Sequence, residues 1–143
     1  MEAAARNLLD PQGRQLAAAV QWWDLPGSAL PFPVAMLGEG PPVLLLYGFD
    51  SSFLEFRRLA PLLAGGATLL IPDLFGFGFT PRPVDGDYSP RGVLAHLDAL
   101  LAEAATRLGP QPLGLIGASM GGAVAVELSR RQPTCIHRLL LLA

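Results

Sequence analysis

Apolar residues follow two rhythms along this chain, with Gly and Pro set between them. Residues 43–47 are an unbroken apolar run, and residues 67–71, 113–116 and 136–142 are short, mostly apolar segments. They are too short for helices and predict strands buried on both faces. Between them the spacing changes to that of helices. Val93, Leu97, Leu100, Leu101, Ala104 and Leu108 fall on one helical face. Ser89-Pro90 supplies a cap and first position for that helix, and Gly109-Pro110 stops it. A second helix is predicted from Met120 to about Arg131. A third is predicted from a cap at Ser51 or Ser52 to about Leu63, with Phe56, Leu59, Leu62 and Leu63 inward and Gly65-Gly66 at its end.

The remaining segments are shorter. The Ala-rich residues 1–20 predict a helix early in the chain. Val20-Gln21-Trp22-Trp23 reads as a short strand, closed by Pro26-Gly27, and residues 32–37 as its antiparallel partner. Residues 38–42 form a turn, and a long loop spans residues 72–88. From residue 43 onward, strands and helices alternate. That order predicts an α/β fold, a mostly parallel sheet with right-handed crossovers and helices on both faces.

Composition agrees with such a core. Of the 143 residues, 51% are hydrophobic and only 15% charged, which fits one domain that buries a large interior. The net charge is −2, and the arginines are scattered in pairs such as Arg57-Arg58 and Arg130-Arg131. No basic stripe points to nucleic acid or to an anionic membrane surface. Residues 1–10 mix both signs of charge without an apolar core, unlike a signal peptide. No run approaches the ~18 apolar residues of a membrane span. A soluble, cytoplasmic protein is expected. Cys135, the sole cysteine, has no partner for an internal disulfide and no zinc-ligand spacing around it, so a buried, inert thiol is expected.

The main chemical signal is Gly117-Ala118-Ser119-Met120-Gly121, a G-x-S-x-G pentapeptide between a predicted strand and a predicted helix. In that context the serine sits on a sharp, strained turn with its hydroxyl raised above the sheet. Gly117 and Gly121 leave room for strand and helix to approach. The Met120 amide then opens a helix and can face a developing oxyanion. Taken alone, the pentapeptide also fits a Gly-rich turn with a capping serine.

Two further segments join it. Residues 44–50 read Leu-Leu-Leu-Tyr-Gly-Phe-Asp, and residues 73–80 read Asp-Leu-Phe-Gly-Phe-Gly-Phe-Thr. With the pentapeptide, in this order and spacing, they make residues 20 to 143 resemble the α/β-hydrolase family. The family usually has His-Gly-x after the first of these strands; here Tyr47 stands at the histidine, Gly48 at the glycine and Phe49 at x. The resemblance implies that the Phe49 amide completes the oxyanion hole with that of Met120. It likewise relates residues 73–80 to a D-x-x-G-x-G-x-S loop that shapes the floor of the site, with Thr80 in place of serine and Asp73 structural. A dinucleotide-binding reading of the same glycines fails, because position 81 is Pro. By resemblance the activity is that of a serine hydrolase on ester or other small acyl substrates, with Ser119 as nucleophile. No metal and no cofactor is implied.

The triad is expected to be incomplete. The family's chain order is Ser, acid, His, and only 24 residues come after Ser119. Their one acid, Glu127, lies ~12 Å along the helix and reads as a solvated charge. Their one histidine, His137, starts the last strand, roughly 17 Å from the strand ends where the site forms. His96 sits mid-helix and reads as a surface or packing residue. Residues 1–143 are therefore expected to form a single incomplete domain, a truncated α/β-hydrolase core without cap and carboxyl-terminal strands. Its last apolar strand would be an exposed edge prone to self-association. Alone it is expected to be weakly active or inactive, and a binding or partner-complemented role stays open.

Overall fold

The computed structural model describes residues 7–143. The first part of the expected Ala-rich helix, residues 1–6, lies outside the described residues. The described chain opens with helix α1, Pro11–Ala18, where Asp10 caps by accepting from the Gln12 N–H at 3.0 Å. Strand β1, Val20–Trp23, and strand β2, Phe32–Leu37, form the expected antiparallel pair, with Val20 opposite Ala35 and Trp23 opposite Phe32.

Strands β3 (Pro42–Leu46), β4 (Thr68–Pro72), β5 (Leu113–Ala118) and β6 (Ile136–Leu142) are these four segments, with small shifts at their ends. The sheet order is β1-β2-β4-β3-β5-β6. The pairings β3/β4, β3/β5 and β5/β6 are parallel, while β2 joins β4 antiparallel. The sheet is thus mixed but mostly parallel, with the short antiparallel hairpin confined to one side.

A 3-10 helix, Phe53–Arg57, and the short helix α2, Ala60–Leu63, replace the single helix expected over residues 51–63, which is a correction. Ser52 does cap, through the Leu54 N–H. The three-residue period of the 3-10 piece turns Phe53 and Phe56 inward. Pro61 then opens a new helix in a different phase, so Ala60 is buried and Leu62 is 80% exposed. Leu59 and Leu63 are half-buried.

Helix α3, Pro90–Leu108, starts and stops where its sequence signals lie. The Ser89 hydroxyl accepts from the Gly92 N–H, Pro90 takes the first turn, and Gly109 ends the helix at φ +85°. Its buried face is Val93, Leu97, Leu100, Leu101 and Ala104. Helix α4 runs Met120–Arg131, as predicted.

The core lies on both faces of the central strands: Leu44, Leu45, Leu46, Leu69, Leu70 and Ile71 have no solvent access. The edge strand β6 differs. After Ile136 every residue is exposed, including Leu139, Leu140, Leu141 and Leu142. Among the described residues no helix is long and apolar enough to cross a membrane.

Candidate active site

Ser119 occupies the single residue between β5 and α4, with φ +50° and ψ −119°. Holding a non-glycine residue there costs of order 1–3 kcal/mol, which the surrounding packing must offset. The local sequence supplies that packing. A Cβ on Gly121 would lie 2.2 Å from the Leu46 carbonyl oxygen and 2.4 Å from that of Tyr47. One on Gly117 would lie 2.5 Å from the Gly121 oxygen and 2.7 Å from the Gly122 Cα. Only glycine at these two positions lets α4 sit this close to β3 and β5.

The Ser119 side chain makes no capping hydrogen bond, and the residue is exposed. The capping-serine reading therefore gives way to a sharp turn that presents a free hydroxyl. The Ser119 amide donates to the Leu142 carbonyl at 3.0 Å, and the Ser119 carbonyl accepts from the Gly122 N–H at 2.9 Å. These bonds fix the turn from both sides.

The segment after β3 comes up beside this serine. A Cβ on Gly48 would lie 3.3 Å from Ser119 Cβ and 3.7 Å from Oγ. The Gly48 N–H faces the Glu55 carboxylate at 3.3 Å, and Asp50 reverses the chain at φ +53°. Phe49, between them, is 73% exposed, its ring edge-on to Phe77 at 5.7 Å. Among the described residues neither the Phe49 nor the Met120 amide donates to an acceptor. Met120, as first residue of a helix, has no acceptor within it. Gly48, Phe49, Ser119 and Met120 are thereby gathered at the carboxyl ends of β3 and β5.

Asp73, in the loop that follows β4, is fully buried. Its two carboxylate oxygens accept from the Phe53 N–H and the Phe79 N–H, each at 2.7 Å. Gly78 makes this possible: at φ +54°, a Cβ there would lie 2.3 Å from the Asp73 carboxyl carbon. Burial pushes the Asp73 carboxyl up to about 6, although the Phe79 and Phe53 amides and Tyr47 pull it down. Tyr47 is buried beside it, and its hydroxyl accepts from the Leu74 N–H at 2.7 Å. Burial, then the Asp73 charge, push the phenol up, so it stays protonated. The Thr80 hydroxyl donates to the Phe77 carbonyl and accepts from the Gly76 N–H. Asp73 and Thr80 thus act on loop shape, as the sequence suggested. The Tyr47–Leu74 link and the Glu55–Gly48 contact were not foreseen. The one sequence signal for the first was a tyrosine where histidine is usual.

The remaining titratable candidates lie elsewhere. His137 Nδ1 is 3.0 Å from the carbonyl of Leu113, which begins β5, whereas Ser119 comes just past its end. Glu127 pairs with Arg130 on the exposed face of α4, and that guanidinium holds its carboxyl low. Cys135 is half-buried. His96 lies against Phe32 at 4.2 Å and Phe75 at 5.8 Å. Both its ring nitrogens are shielded without a hydrogen-bond partner, and burial lowers its pKa to about 4. Leaving a buried polar group unpaired costs about 1–3 kcal/mol. Among the described residues no three His, Cys, Asp or Glu side chains converge as metal ligands.

Residues 41–143 match the family described as alpha/beta hydrolase fold. Among curated relatives, 2-hydroxymuconate semialdehyde hydrolase of Pseudomonas sp. (strain CF600) is 33% identical over 135 residues, covering 91% of this chain and 42% of the relative. Pimeloyl-[acyl-carrier protein] methyl ester esterase of Aeromonas salmonicida (strain A449) is 34% identical over 110 residues, covering 77% of this chain and 40% of the relative. Among solved structures, the epoxide hydrolase VrEH1 from Vigna radiata superimposes with a TM-score of 0.76 at 27% identity, over 87% of this chain and 39% of that one. The chain spans about two fifths of the length of the curated relatives it matches.

Proposed function

This chain belongs to the α/β-hydrolase family, and we propose that it carries the nucleophile and oxyanion elements of a serine hydrolase for ester or other small acyl substrates. The observation that carries the reading is Ser119 at positive φ between β5 and α4, its free hydroxyl beside Gly48. In the proposed step Ser119 Oγ attacks the acyl carbon and loses its proton to a base. The carbonyl oxygen, now negative, is met by the Phe49 and Met120 amides, the latter at the positive end of α4. The relatives' names support hydrolysis as the class of reaction.

A free serine hydroxyl is a weak nucleophile without a base. Neither His96, held between Phe32 and Phe75, nor His137, beside Leu113, is positioned for that work. The proposal for this chain on its own is weak turnover, sustained by the oxyanion amides. A second reading is favoured by the exposed leucines of β6: a chain that self-associates there, or that acts once another strand pairs with that edge.

The test is a fluorophosphonate probe with mass-spectrometric mapping. Adduct formation at Ser119, lost in Ser119→Ala, is the expected result. Absence of label on protein that unfolds cooperatively would overturn autonomous activity of this chain. Turnover of a p-nitrophenyl ester at the rate of a complete hydrolase would show that a base within this chain had been misplaced.

A further inference from the structure

We propose that the cavity beside His96 is a second binding site, for a small, planar, uncharged aromatic molecule carrying one hydrogen-bonding heteroatom. The cavity holds about 530 Å³ and is walled by Leu25, Leu30, Phe32, Phe75 and His96, with Asp85 among its lining residues. That volume lies within the roughly 300–1,000 Å³ of pockets that take small molecules. None of Gly48, Phe49, Ser119 or Met120 lines it. Strands β4 and β3 separate β2, where Phe32 lies, from β5, which leads into Ser119. It is a different place from the serine site, and it stands independently of what Ser119 does.

Three features define the occupant. The walls carry an aromatic ladder, Phe32 against His96 and His96 against Phe75 at 27° between planes, backed outside the lining by Tyr88 stacked on Phe75 at 5.0 Å and 21°. A planar ring extends such a ladder at little conformational cost. His96 is the only side chain among the described residues with buried nitrogen or oxygen atoms left unpaired. With its pKa lowered to about 4 by burial, it is neutral near pH 7, so one ring nitrogen donates and the other accepts. A hydroxyl on the ligand satisfies either, and a ring N–H satisfies the accepting nitrogen. Finally, Asp85 and Asp87 lie along the lining, and their charge disfavours an anion. The nitrogens are shielded from solvent while the residue lines the cavity, so the imidazole must turn to meet an occupant. Binding therefore reports at that ring.

The experiment titrates 2-naphthol, naphthalene and 2-naphthoate into the 143-residue chain and monitors the ¹⁵N resonances of the His96 ring, with His137 as the internal reference. Expected are saturable shifts at His96 and not at His137, with 2-naphthol roughly fivefold tighter than naphthalene and 2-naphthoate weakest. Ser119→Ala should bind 2-naphthol as the natural chain does. His96→Phe should bind both neutral probes alike, and Ala99→Trp, which fills the cavity, neither. Equal affinity of the natural chain for 2-naphthol and naphthalene, shifts that do not saturate, or loss of binding in Ser119→Ala would each overturn the proposal. The first two need no variant, so a substitution that fails to fold leaves them decisive.

Discussion

Gly48 stands against Ser119 so closely that a Cβ on the glycine would lie 3.3 Å from that of the serine. Such a contact obliges one backbone to yield by a few tenths of an ångström. In Gly48→Ala the segment carrying the Phe49 amide shifts relative to the hydroxyl. Small misplacements of reacting groups are costly in rate. Labelling of Ser119 by the fluorophosphonate is expected to slow roughly tenfold, with little change in the urea midpoint. An unchanged labelling rate would show that the two segments do not work together.

Gly121→Ala tests a harder constraint. The added methyl meets two carbonyl oxygens of the β3 segment at 2.2 and 2.4 Å, and neither is the end of a flexible side chain. A destabilisation of about 2–4 kcal/mol is expected from overpacking and backbone displacement. Equilibrium urea denaturation measures it. A loss below half the lower figure would mean that α4 can move away from β3 freely.

Two buried groups act oppositely on stability between pH 4 and 6. Asp73 has a folded pKa raised to about 6 from 3.8, so its contribution is full below about 4 and is lost as pH rises through 6. His96 has a folded pKa lowered to about 4 from 6.5, so its contribution is full above 6.5 and is lost as pH falls through 4. Each corresponds to about 3 kcal/mol, and together they nearly cancel. The natural chain is expected to show a flat profile across this window. His96→Phe should expose stability that falls with rising pH, and Asp73→Asn stability that rises. Denaturation at half-unit pH steps checks both slopes, and parallel profiles for the two variants would refute the assignment.

The leucines of β6 lead to a prediction about assembly. Leu140 is 53% and Leu141 52% exposed. They are neighbours on the edge strand, so their side chains point to opposite faces of the sheet. The 143-residue chain is expected to sediment as dimers or larger species at micromolar concentration. Leu140→Lys with Leu141→Lys should shift it toward monomer, since edge charges oppose strand addition. A natural chain that sediments as a monomer at all concentrations would remove self-association from the reading.

What the sequence revealed and what it hid divide along physical lines. Helix α3 was legible at both ends because Ser89-Pro90 and Gly109-Pro110 act on their own neighbours. The turn at Ser119 was legible for the same reason, since the glycines two residues either side announce a crowded bend. The segment after Ser52 was misread because Pro61 resets the helical phase, and an apolar pattern alone cannot distinguish one long helix from two short ones. The links through Tyr47 and Asp73 were hidden because they join residues 27 and 20 positions apart. The unpaired His96 was hidden because helical spacing tells which way a side chain faces, and not whether a hydrogen-bond partner waits there.

The amide of Ser119 is held by the carbonyl of Leu142, on the outermost strand. Outer strands fray first and are restored when another strand lies down beside them. The posture of the serine is thereby geared to the occupancy of a flank that lies far along the chain from it. Whatever zips onto that flank tightens the grip on the bend, and whatever peels it away lets the bend relax, a mechanical transmission through one hydrogen bond.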